Sequence, residues 1–238
     1  LAGTKYKNKS FPKVQLHQLD WLEWLSVGLC IWLMFYPHPY KFVFSLVLPL
    51  PVIGLILNGL SRPSLASLVS ISKTGGKGKY DLADFIEFPG LIILYRVLID
   101  FKFESFYSLL KVGTVAFVLL LVILAVTHKL VNKTNPDKWL IYLVVIGNIF
   151  IYSYAATYGI NCVYDDSEPK VYSAKVIDKR ISKGKHTYYY LKVEAWGSHH
   201  DPEEISVSYA QYESTHISQT VNIDYKEGLL HIPWYYIE

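Results

Sequence analysis

Apolar residues are not spread evenly along this chain. They gather in four runs that contain no Asp, Glu, Lys or Arg: residues 24–40, 42–60, 112–127 and 139–160, which are 17, 19, 16 and 22 residues long. About 20 mostly apolar residues cross a bilayer as a helix, with roughly 17 to 25 as the working range. Helices of a soluble fold keep a polar face, and these runs have almost none. The pattern predicts transmembrane helices over about residues 20–36, 42–60, 110–128 and 139–160, with Lys111 snorkelling at the start of the third. Pro37, His38 and Pro39 read as the turn between the first two. No small-residue cleavage site follows the first run, so it reads as a retained helix.

Residues 81–103 are apolar but interrupted by Glu87, Pro89-Gly90, Arg96 and Asp100. A central arginine costs about 2.5 to 3.5 kcal/mol to insert. An interfacial or re-entrant helix, broken near Pro89, is therefore expected here rather than a fifth span.

From Lys170 onward the period changes to two. Tyr172, Ala174 and Val176 alternate with Ser173, Lys175 and Ile177, and Tyr189, Leu191, Val193 and Ala195 alternate with Tyr190, Lys192 and Glu194. Shorter stretches of the same kind follow at 205–208, 221–224 and 229–237, with a single helical turn expected at 210–215. Beta-branched and aromatic residues dominate, as half-buried strands require. Five short strands predict a small all-β barrel of the SH3 or OB kind, closed to hide its edges. The expected organisation is a helical membrane domain over 1–160, a linker over 161–169 and the barrel over 170–238.

Composition agrees with a membrane protein: 52% hydrophobic, 18% charged and a mean hydropathy of +0.23, where soluble domains carry about 25% charged residues. Charge refines the layout. Residues 1–160 hold 15 Lys/Arg and 8 Asp/Glu, whereas residues 161–238 hold 8 and 12. Four spans with both ends in the cytoplasm put 15 flanking Lys/Arg inside and 4 outside; five spans give 11 and 7. The positive-inside rule favours four.

Candidate chemistry is sparse. Asp81, Asp84 and Glu87 recur at i, i+3 and i+6 with Arg96 beyond them, a pattern that suits a cation or proton site or a plain acidic helix start. Lys179, Arg180, Lys183 and Lys185 cluster on the first β hairpin and suit anionic lipid or a partner surface. His199, His200, Asp201, Glu203 and Glu204 read as a solvated turn rather than a metal loop. Cys30 and Cys162 lie too far apart in the layout for a disulfide. No nucleotide-binding, hydrolase or metalloprotease motif is present, so no catalytic residue, metal or cofactor is expected. The slightly acidic barrel argues against nucleic acid.

Several segments resemble a group of uncharacterised bacterial multi-span membrane proteins that end in a small β domain. They are Asp81–Phe85, Phe88-Pro-Gly90, Arg96, Asn161–Asp165, Lys179–Gly184, Glu203–Ser208 and Ile232–Tyr235. The resemblance covers residues 81–238 and implies a bacterial cytoplasmic membrane. The reading as a whole is a non-enzymatic integral membrane protein whose cytoplasmic β domain binds a partner or ligand, as a scaffold or sensor. Its partners are the lipid bilayer and either another protein or further copies of itself. An oligomeric channel or transport component, or a membrane immunity or defence protein, are the alternatives.

Overall fold

The computed structural model describes residues 20–61, 64–69, 83–184 and 187–237. Contacts divide them into two compact units. One holds the described residues up to Val97 together with Lys111–Gly159; the other holds Leu98–Leu110 and the residues from Ile160 onward. This division differs from the expected boundary in two places. Residues 98–110 belong with the C-terminal unit, and the expected linker begins as the last turn of a helix.

The first unit is helical. Helix α1 (Asp20–Phe35) turns into α2 (Tyr40–Val47), which continues as α3 (Leu50–Ser61); α4 is Ala83–Asp100, α5 Phe106–Thr127 and α6 Lys138–Val163. Among the described residues, three stretches are long and apolar enough to cross a membrane: Tyr40–Leu60, Phe106–Thr127 and Lys138–Val163. The apolar part of α1, Trp24–Phe35, is shorter. Pro49, between α2 and α3, and Pro51, in the first turn of α3, each lack a backbone donor. The Leu48 carbonyl at that step accepts from the Tyr152 hydroxyl at 2.6 Å, so the irregular backbone is satisfied from a neighbouring helix.

Side-chain contacts fix the helix directions. On α6, Tyr152 meets Leu48 and Gly159 meets Phe44, so α6 runs antiparallel to α2–α3. Thr114 and Tyr154 share a hydrogen bond of 2.8 Å and the Phe117 and Phe150 rings lie 5.7 Å apart, so α5 is antiparallel to α6. The ends of α3 and α5 therefore coincide. His128 Nε2 lies 3.2 Å from Asn58 Oδ1, Ser67 donates to the same oxygen at 2.9 Å, and the Leu65 amide donates to the Lys129 carbonyl at 3.1 Å. Helix α4 runs parallel to α6: Glu87 accepts from Asn148, Gly90 packs on Tyr152, and Val97 packs at Gly159. The expected break at Pro89 does not occur. Pro89 lies inside one 18-residue helix, buried with Gly90 in the helical packing.

The second unit is a curled antiparallel sheet, a half-barrel. Its strands are β1 (Lys102–Phe103), β2 (Lys170–Lys183), β3 (Thr187–Val193), β4 (Glu203–Val207), β5 (Thr220–Lys226) and β6 (Trp234–Ile237), in the order β1-β6-β5-β2-β3-β4. The 14-residue β2 makes the curl. Its first half pairs with β5 and its second half with β3, with a bulge between Val176 and Asp178 at the changeover. Ala174, Val176, Leu191, Val193, Ile205 and Ile223 fill the inner face. Two expectations need correction. The sheet has six strands, because Lys102–Phe103 pairs with β6. It is also not closed into a barrel, since no ladder joins β1 to β4 among the described residues. Helix α7 (Tyr209–Ser214) forms as expected, started by a Ser208–Gln211 capping box.

Close approach at Gly159 can be tested. A Cβ there would overlap the Phe44 ring and lie 3.2 Å from Val97, whereas a Cβ at Gly147 meets nothing within 4 Å. Gly159→Val should destabilise the detergent-solubilised protein by about 1–3 kcal/mol. Gly147→Ala should be neutral or stabilise by up to about 1 kcal/mol. Equal losses in thermal unfolding would contradict this packing.

Candidate functional site

The chemistry that the fold assembles lies in the β unit. A cavity of about 340 Å³ is lined by Ser167, Glu168, Lys170, Tyr172, Trp196, Ser198, Tyr225 and Glu227. Tyr172 sits on the inner side of β2, Tyr225 near the end of β5, and Trp196 just after β3. The Tyr172 ring lies 5.8 Å from Trp196 at 56° and 6.1 Å from Tyr225 at 84°. Lys170 places its ammonium 5.0 Å from the centre of the Tyr172 ring.

Behind these rings stands a cluster of carboxylates. Glu104, from the short segment between β1 and α5, accepts from Ser198 at 2.5 Å and from the Tyr225 hydroxyl at 2.7 Å. Glu203 accepts from the Tyr235 hydroxyl at 2.6 Å. His199 stands between the two acids, with Nδ1 3.3 Å from Glu203 and Nε2 3.8 Å from Glu104, and its ring stacks on Trp196 at 4.4 Å. Burial, then the hydrogen bond to its carboxylate, pushes each phenol well above the ordinary tyrosine range. Tyr225 and Tyr235 therefore stay neutral donors at physiological pH. No group of three His, Cys, Asp or Glu among the described residues is placed to hold a metal ion.

A second polar cluster anchors the loop before β6. Asn161, fully buried near the end of α6, donates to the Ile232 carbonyl at 2.8 Å and accepts from the Leu230 and Ile232 amides at 2.9 and 3.3 Å. Asp165 accepts from Trp234 Nε1 at 2.9 Å, from the Gly228 amide at 3.1 Å and from the Ser167 amide at 3.0 Å. Gly228 and His231 adopt positive φ in this loop, so Asn161 replaces a regular strand partner for a backbone that cannot be one. Residues 229–233, expected as strand, are held as a turn for that reason.

The residues singled out from sequence are dispersed. Asp81 and the Asp84 side chain lie outside the described residues. Glu87 faces Asn148, whereas Arg96 lies 6.0 Å from the Tyr40 ring. Nine helical positions separate them, a half-turn of phase, so they face opposite sides of α4. Lys179 points inward, donating to the carbonyls of Thr215 (2.6 Å) and Tyr212 at the end of α7. Arg180 forms a forked pair with Glu204, at 2.6 Å, and covers the Tyr190 ring. Lys183 is exposed and Lys185 lies outside the described residues. The basic hairpin is thus mostly engaged with its own domain. Sequence reasoning missed Glu104, whose partners lie across the sheet, and the pairing of Asn161–Asp165 with Ile232–Tyr235.

Asn161→Ala should cost roughly 2–4 kcal/mol, because buried backbone groups lose their partners. For Asp165, burial alone would raise the carboxyl pKa, but hydrogen bonds from Ser167 and Trp234 and the Lys226 charge hold it below the usual carboxylate range. Its stabilisation is therefore complete above the unfolded value of about 3.9 and is lost as pH falls through the lower folded value. The thermal deficit of Asp165→Asn should be constant from about pH 5 to 8 and shrink below pH 4. A deficit that instead appeared only in acid would contradict this assignment. The chain matches no known protein family, no curated protein and no solved structure.

Proposed function

We propose that this chain is a membrane-anchored binding module, in which a helical unit with five crossings carries a small β unit that takes a ligand. The cavity of about 340 Å³ in the β unit is the observation that carries this reading. Its size lies at the low end for small-molecule pockets, roughly 300 to 1,000 Å³, and three aromatic rings share its lining with two serines, two carboxylates and one ammonium.

The helix directions support a crossing by α4, and α1, whose apolar part Trp24–Phe35 is shorter, is counted as the first crossing. The ends of α3 and α5 meet, and both helices are long and apolar enough to cross a membrane. Residues between them must then return to the opposite face before α5 begins, and α4 is the segment that does so, alongside α6. Arg96, near the α4 end that packs with Tyr40, reaches the headgroup level by snorkelling. Glu87 lies deeper and keeps a polar partner in Asn148, as a membrane-embedded acid requires. The flanking Lys/Arg count of 11 against 7 then orients the N-terminal arm to the cytoplasm and the β unit to the other side. The resemblance described above supports a bacterial cytoplasmic membrane.

Thermal-shift screening of the full chain in detergent against small metabolites tests the reading. A true ligand at a hundred times its Kd stabilises by about 2.7 kcal/mol, a shift of several degrees, and Ser198→Phe, which fills the cavity, should abolish it. If no compound separates the two proteins, the binding role is wrong.

A further inference from the structure

From the lining of the cavity we infer that its ligand carries an ammonium group, primary or quaternary, seated on the Tyr172 ring between the Glu168 and Glu227 carboxylates. The inference rests on reading the β unit as a binding module and names the chemistry of its ligand. Three observations converge on it. Tyr172, Trp196 and Tyr225 wall the cavity at steep mutual angles, and aromatic rings attract a cation through their faces. The charged groups of the lining are two carboxylates and one ammonium, with the Glu104 carboxylate held just behind by Ser198 and Tyr225. Their balance is negative. The third observation is that Tyr172 already holds a cation, because Lys170 places its own ammonium 5.0 Å from the ring centre.

Lys170 thus marks the position and competes for it. The Trp196 ring backs the site: it is 4% exposed and packs on His199 and Tyr235 behind the Tyr172 ring. A small amino alcohol, a betaine or a phospholipid headgroup shares this chemistry.

Calorimetry on the full chain in maltoside detergent, with choline and its neutral isostere 3,3-dimethylbutan-1-ol, separates charge from shape. Choline should bind saturably and the isostere at least tenfold more weakly. Tyr172→Phe should keep affinity within about threefold and Tyr172→Ala lose at least tenfold, in line with a cation held by the ring. Lys170→Met should tighten choline binding several-fold by removing the competitor. Glu168→Gln with Glu227→Gln, both on the exposed rim, should weaken it even if Tyr172→Ala fails to fold. Choline binding that persists in phosphatidylglycerol nanodiscs but is lost in phosphatidylcholine nanodiscs identifies a lipid headgroup as the source; equal binding in both identifies a free amine. Isostere binding equal to choline, or no tightening by Lys170→Met, overturns the ammonium assignment. Absence of choline binding, while thermal-shift ligands still need an open cavity, overturns the assignment and leaves the binding module standing. Absence of both removes the two together.

Discussion

A chain that crosses a bilayer reverses direction at each surface, and two neighbouring crossings can be parallel only if an odd number of crossings separates them. On the proposed reading, that constraint governs the helical unit. The ends of α3 and α5 share the Asn58–His128–Ser67 network, which makes those helices parallel, and in the five-crossing proposal α4 leads the chain back. The contacts of α4 with α6, from Glu87 on Asn148 to Val97 at Gly159, follow the same sense. Backbone donors and acceptors inside hydrocarbon must be met by protein, and the Tyr152 hydroxyl does this at the proline step after α2. Small residues allow the approach: Gly90 admits Tyr152, and Gly159 admits Phe44.

The β unit meets a different constraint. Its sheet is short of strands to close, so the exposed ends must be handled by side chains. The bulge in β2 bends one strand across both halves, and Asn161 and Asp165 bind the loop that would otherwise leave its amides unpaired. Glu104, Ser198, His199 and Glu203 tie β1 and its neighbours to the opposite rim through side-chain contacts instead of a ladder. The cavity beside Trp196 lies at the end of the β2–β5 pair, where Lys170, Tyr172, Tyr225 and Glu227 join its lining.

Much of this was legible in sequence. Uncharged runs and the period of two are properties of one-sided or uniform burial, and both located their elements well. Helix α4 was less legible because each of its interruptions is answered from elsewhere in the chain: Glu87 by Asn148, Gly90 by Tyr152, Arg96 by Tyr40. Local hydropathy cannot register such partners. A two-residue strand such as Lys102–Phe103 leaves no period at all, so β1 and the placement of Glu104 were invisible. The basic hairpin misled in another way. Lys179 and Arg180 read as free surface charge, yet a β bulge turns Lys179 toward α7 and Glu204 lies across from Arg180.

The account stands or falls on whether the chain between α3 and α5 changes sides. Single cysteines at Ser64→Cys and Ser105→Cys, in a chain whose native Cys30 and Cys162 are replaced, can be labelled with a membrane-impermeant maleimide in sealed vesicles of known orientation. The account predicts that the two positions react from opposite faces. Labelling of both from the same face would contradict it and return α4 to the membrane surface.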